Sequence, residues 1–390
     1  MAYLGQRIRY WRRVRGGMTQ EVLAGLTGCS QSYISKVEQG VKTVDRRATL
    51  VAIANALDIT VAQLLDQPGD PADPRRSQAV AAVPAIRVAV AELLHGERRP
   101  ARRTAEETRA AASHVMALRQ ACDFGGFAPL LPDLLHDLAW AGPADLAEGA
   151  YLTSSLLRAI GYRDLAWHAA ELCVRAAENS GDPAWVGVAR HTLAHAMPIE
   201  ARASATLAEN AANALQAHTA DPMARRAYGM LHLSAAFLST VTHRPTDTAA
   251  HLAEAEREAR TLGEPTGPGT HFSFGPTNIV LWRMAVALES GEPDRALELA
   301  DQVHPGALPH KDRACTYHLD RGRALAATGR RDRQALAAFL DAERAAPQFF
   351  RLSTVARDEV SAMVHRARRR TVDSDLRRVA SRLGVYDLAE

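Results

Sequence analysis

The chain has 390 residues, 47% hydrophobic but only 5% aromatic, with a net charge of +3. That length exceeds one ordinary core, so two or more folding units are expected, and the Ala-rich apolar fraction favours close-packed helices, an all-α protein, over aromatic-rich sheets. Cys29, Cys122, Cys173 and Cys315 are isolated from one another, which argues against a zinc knuckle or a disulfide framework, and apolar runs such as 79–86 are too short to span a membrane. No signal-peptide core opens the chain, and a soluble, cytoplasmic protein without cofactors is expected.

The charge is unevenly spread. Residues 1–66 carry a net +4 and the remainder −1, so positive charge concentrates in a small N-terminal unit. Within it, residues 19–40 are the most informative stretch. Thr19 can cap a helix whose Leu23 and Leu26 face inward, with small Ala24 allowing a close helix crossing. Gly28 suits a tight turn, and Ser30 can cap the next helix, where Ile34 and Val37 share the core face. Gln31, Ser32, Tyr33, Ser35 and Lys36 are then turned outward or toward the helix N-terminus, as in a helix that meets base edges in a major groove.

With Leu4-Gly-Gln-Arg-Ile-Arg9, Arg12, Thr19-Gln20, Ser-x-Ile-Ser, Glu38-x-Gly40 and a closing Leu50-x-x-Ile-Ala-x-Ala-Leu57, residues 3–65 resemble the λ-repressor-like XRE family of five-helix DNA-binding domains. One residue more than usual, in Arg15-Gly-Gly-Met18, should lengthen the first turn. The resemblance implies double-stranded operator DNA as partner, with Thr19 opening the second helix, Gln20 on a phosphate, and Lys42 and Arg46 as backbone clamps. It also implies that Arg12 pairs with Glu38 to brace two helices. Gln31 has an outward amide able to bond adenine bidentately, while Ser32, Ser35 and Lys36 can reach adjacent bases or phosphates.

After this domain, placed at 1–66, the Pro-, Gly- and Asp-rich segment 66–74 marks a linker at 67–75. Residues 76–390 then alternate Ala- and Leu-rich helical segments with short breaks. Gly291 and Gly329 lie 38 positions apart, and Gly322, Ala335, Ala342 and Pro347 follow the small-residue spacing of a tetratricopeptide (TPR) repeat, with weaker echoes at Ala169, Ala176 and Pro183 and at Ala205 and Ala212. An α-solenoid of TPR-like hairpins is therefore expected, as sensor and homodimerisation domain; the bland alternative is a generic Ala-rich bundle. A domain of the first kind fused to such repeats resembles in architecture the peptide-pheromone receptors of Gram-positive bacteria. The Phe-Gly-Pro-Thr-Asn segment at 274–278 resembles a set of actinobacterial regulators.

The long segment 263–278 gathers His271, Phe272, Phe274 and Asn278, with Trp282 nearby, in a chain poor in aromatics. These side chains can line a groove for a small molecule or peptide; alternatively Phe272 and Phe274 plug a gap between repeats and Asn278 caps a helix. Arg190, His191 and His195 fall roughly on one helical face and join the candidate set. The i, i+4 histidines raise a metal reading, but the chain lacks an acidic residue between them, and metal is not expected. No nucleophile elbow, phosphate loop, Rossmann fingerprint or kinase set appears, so no enzyme is expected. The two functional readings are a ligand-responsive DNA-binding regulator and a protein-interaction scaffold or switch, antitoxin-like or phosphatase-inhibitor-like, with DNA binding secondary.

Overall fold

The structure, a computed structural model, describes residues 4–14, 17–59, 61–65, 74–198, 203–265, 273–308, 310–327, 330–367 and 374–385. Every regular element among them is helical, and none of these helices is long and apolar enough to cross a membrane. The chain divides into two compact units, one of residues 1–69, 283–305 and 314–390, the other of residues 70–282 and 306–313. The first unit thus joins the N-terminal domain to the last helices, a long-range association that local periodicity does not encode. The expected linker lies mostly outside the described residues; its last two, Pro74 and Arg75, already belong to a helix, because Pro is tolerated in a first turn.

The N-terminal part of the first unit contains α1 (Leu4–Val14), α2 (Gln20–Thr27), α3 (Gln31–Glu38), α4 (Arg47–Ala56) and α5 (Val61–Leu65). Thr19 caps α2 by accepting from the Val22 amide, Gly28 closes it with φ at +68°, and Ser30 caps α3 by accepting from the Tyr33 amide. Ile8, Leu23, Ile34, Ile53, Leu57 and Leu64 are fully buried and form the core. The inward assignment of Leu26 is corrected: it is 60% exposed. Leu23 and Ala24 are the buried residues of α2, and the face centred between them turns position 26 outward.

The second unit holds α6 (Pro74–Leu94), α7 (Ala105–Gln120), α8 (Phe124–Phe127), α9 (Leu131–Ala141), α10 (Pro143–Ile160), α11 (Arg163–Ser180), α12 (Pro183–Ala196), α13 (Ala203–Leu215), α14 (Pro222–Val241) and α15 (Pro245–Leu262). Helices α10–α11, α12–α13 and α14–α15 pack as successive hairpins, and their first members stack side by side, α10 on α12 and α12 on α14. Small side chains permit this: Ala169, Ala176, Ala205 and Ala212 are buried, and a Cβ added at Gly187 would lie 2.5 Å from the Leu215 side chain. Asp182 and Asp221 cap α12 and α14, each followed by Pro in the first turn, so the breaks are specified locally.

Helix α16 (Pro276–Ser290) begins in this unit, and just before it Phe274 is fully buried against Gly229 of α14. A Cβ at Gly229 would sit 2.0 Å from the ring. Gly229→Ala is therefore expected to destabilise the protein by about 1–3 kcal/mol through overpacking. Thermal unfolding checks this; an unchanged midpoint would mean that the ring is free to move aside.

The chain continues with α17 (Pro293–Ala300), α18 (Lys311–Ala326), α19 (Asp332–Ala345), α20 (Pro347–Leu352), α21 (Thr354–Ala367) and α22 (Ser374–Arg382). Gly322 lets α18 meet Phe339 of α19, Ala335 and Ala342 are buried, and Pro347 opens α20, so the predicted small-residue positions are contact positions here. Glu343 gathers Arg351 at 3.1 Å and Arg382 at 2.5 Å, tying α20 and α22 to α19.

Candidate nucleic-acid interface

The outer face of α3 is prepared by a polar relay beneath it. Buried Glu38 accepts from Arg12 of α1 at 2.6 and 2.9 Å and from Gln20 Nε2 of α2 at 2.8 Å. Burial alone would raise the Glu38 carboxyl, but hydrogen bonds from Arg12 and Gln20 outweigh it and hold it below its ordinary value. The brace expected between Arg12 and Glu38 is thus formed. Gln20, expected on a phosphate, also accepts from Gln31 Nε2 at 3.1 Å, so its amide orients the Gln31 side chain at the exposed start of α3.

Gln31, Ser32 and Lys36 are exposed on α3, and Thr19 is exposed at the cap of α2. Ser35 accepts from Gln39 at 3.1 Å. Tyr33 is half-buried and turned back: its hydroxyl donates to the Thr43 carbonyl at 3.2 Å, and Lys42 lies 6.0 Å from its ring centroid. Tyr33 therefore shapes the loop after α3, and its aromatic ring carried no sequence signal separating that role from DNA contact.

That loop is held by helices from the far end of the chain, within the same unit. The Arg47 amide donates to Glu289 at 2.6 Å, Arg323 donates to the Asp45 carbonyl at 2.9 Å, and Thr43 donates to Glu359 at 3.3 Å. The Arg46 guanidinium lies against Gly291, where an added Cβ would meet it at 1.8 Å. Lys42 and Arg46, both read as backbone clamps, are both exposed, and the Arg46 guanidinium also rests on the turn between α16 and α17. Burial pushes the Glu359 carboxyl up to about 8, with Asp45 adding to the effect and Arg323 and Arg366 opposing it. Glu289, Arg323 and Glu359 were not legible as partners of this loop, because they lie 242, 278 and 316 positions away from the residues they hold and nothing local marks them.

A family model described as a helix-turn-helix domain matches residues 4–66. These residues are a helix-turn-helix DNA-binding domain. No curated protein and no solved structure matches the chain. In the helix-turn-helix domain, α2 and α3 are the paired helices, and the Glu38 relay links both to α1.

The second candidate set lies in the other unit. His191 and His195 of α12 share the Ser234 hydroxyl of α14, each at 2.9 Å, and their rings are 4.6 Å apart. Burial, reinforced by Arg158 and Arg313, pushes His191 down to about 3, so it is neutral at physiological pH. Trp282 lies 5.9 Å from both His195 and Phe237. Asn278 is buried, its Nδ2 3.5 Å from Met230 Sδ and its Oδ1 without a partner among the described residues, as is Trp282 Nε1. Thus His191, His195, Asn278 and Trp282 come together. Arg190 is paired with Glu178, Phe274 is packed on Gly229, and His271 and Phe272 lie outside the described residues.

Proposed function

We propose that the protein is a sequence-specific transcriptional regulator of the XRE type, binding a two-fold operator as a homodimer, with a TPR-like hairpin array that senses a small molecule or peptide. The observation that carries this reading is the helix-turn-helix domain at 4–66, with Gln31 oriented by Gln20 on an exposed helix start. Two recognition helices about 34 Å apart would meet successive major grooves on one face of the duplex. Ligand response has a physical route in the contacts of Thr43, Asp45, Arg46 and Arg47, since whatever shifts Glu289, Arg323 or Glu359 moves the loop that follows the recognition helix. We assign no catalytic step.

Genomic DNA pulldown with purified protein, followed by footprinting of the best fragment, tests this. Gln31→Ala is expected to weaken binding to that fragment by about 1–3 kcal/mol while relaxing preference at one base pair. The same loss on random DNA, or no sequence preference in the wild type, would remove the regulator reading.

A further inference from the structure

The second unit contains a group of arginines, one of them paired with Asp312. Tyr151, Ser155 and Arg158 follow one another at i, i+4 and i+7 on α10, and so lie on one face. Arg119 of α7 lies over the Tyr151 ring at 5.1 Å and donates to Ser155 at 3.3 Å. From the start of α18, Arg313 donates to Asp312 from its backbone amide at 2.9 Å and from its guanidinium at 3.3 Å. Arg158 has no hydrogen-bond or ion-pair partner among the described residues, and it is half-buried.

Electrostatics ties these groups together. Burial is the main force that pushes Arg158 down to about 10, with Arg163, Arg119 and Arg313 adding to it and Tyr151 opposing. The field of Arg158 and Arg313 also reaches His191, which continues through His195 to Trp282. Along α10, α12 and α14, the first helices of successive hairpins, and on to the start of α16, there is thus a cationic end followed by an aromatic stretch. Two buried polar atoms there, Trp282 Nε1 and Asn278 Oδ1, lack partners among the described residues.

An arginine without a partner of its own among the described residues and with Arg163, Arg119 and Arg313 near it is a poor stabilising device and a good receptor. The planar fork of a guanidinium matches the two oxygens of a carboxylate or phosphate, and like charges held together favour an anion strongly. Asp312 offsets only part of this charge. Trp282 Nε1 and Asn278 Oδ1 are one donor and one acceptor, suited to a polar group on an otherwise apolar body.

We propose that these residues bind an organic anion, its carboxylate or phosphate on Arg158 with Arg119 and Arg313 and its apolar body running past His191 toward Trp282. The assignment rests on the sensor reading given above and adds the chemical class of the ligand. It also adds three arginines that sequence reasoning passed over, since Arg is the commonest charge throughout this chain.

The test uses the full chain at low salt, with thermal unfolding and calorimetric titration. Phenylacetate and phenyl phosphate separate the two anion types, inorganic phosphate probes the cationic end alone, and benzyl alcohol is the uncharged control. At least one organic anion is expected to raise the unfolding midpoint and to bind more tightly than inorganic phosphate and benzyl alcohol. Arg158→Gln is expected to weaken that binding about tenfold or more, and Arg158→Lys, which keeps the charge but not the fork, less. Without ligand, Arg158→Gln is expected to raise the midpoint by relieving repulsion. Binding unchanged in Arg158→Gln, equal binding of benzyl alcohol, no effect of any anion, or a lower ligand-free midpoint would each overturn the proposal. Footprinting separates the two failures: anion binding without an operator footprint retires the regulator and keeps the site, and a footprint without anion binding does the reverse.

Discussion

Glu38→Ala is expected to destabilise the helix-turn-helix domain by about 3–5 kcal/mol, because it leaves the Arg12 guanidinium and the Gln20 amide facing a hole where a buried carboxylate joined three helices. The Glu38 and Arg12 side chains are only 3% and 11% exposed, so solvent does not replace the lost partner. Operator affinity should fall with stability, since Gln20 would no longer be anchored to hold Gln31. Chemical denaturation of the full chain, followed at Trp11 of α1 within this domain, gives the measurement. A loss below about 1 kcal/mol would place the relay among surface pairs. Arg12→Lys is the informative companion, because an ammonium cannot reproduce the two-pronged contact and should recover only part of the loss.

The second large effect is a dependence on pH in the unit that contains Glu359. Its carboxyl is raised from an ordinary 4.5 to about 8, so between these values the folded protein retains a proton that the unfolded chain has released. Folding stability then falls as pH rises through that window, by an amount on the order of a few kcal/mol in total. Asp358, raised to about 6 by burial and eased by Arg7, Arg357 and the Leu4 amide, adds the same sign over a lower range. The groups facing Glu359 are Asp45, Arg323, Arg366 and Asp358, together with the Thr43 hydroxyl at 3.3 Å. Glu38 acts in the opposite sense and lower down, its contribution being lost as pH falls through its depressed value. Thermal midpoints from about pH 5 to about pH 8 should decline in the wild type and decline less in Glu359→Gln. Coincident profiles for the two proteins would mean that Glu359 does not hold the proton.

This carboxyl matters because of what it touches. Thr43, Asp45, Arg46 and Arg47 all lie in or just after the loop that follows α3, and all are held by residues beyond position 288. A change of protonation or packing at α16, α18 or α21 is therefore transmitted to the DNA-binding domain through direct contacts.

Much of the helix-turn-helix was legible in the sequence, because its determinants are local. Thr19 and Ser30 cap because a short hydroxyl side chain can reach an amide three residues on, Gly28 accepts a positive φ, and Ile34 and Val37 are spaced to bury together. The Arg12–Glu38 pair was available through resemblance. The helical character of the remainder, its breaks at Asp-Pro and Gly, and the contact role of Gly322, Ala335 and Ala342 followed from composition and spacing for the same reason.

Tertiary structure alone decided what meets across long separations. Leu26 faces water because the face centred between Leu23 and Ala24 took the core. Arg46 rests on Gly291, and Tyr33 braces a loop. His191 and His195 converge on Ser234, 43 and 39 residues away. Arg158 is without a hydrogen-bond or ion-pair partner among the described residues because folding brought other arginines to its side and Asp312 pairs with Arg313. Periodicity records which face of a helix is buried; the identity of the neighbour is set by the packing of distant segments, whose energy no local pattern contains.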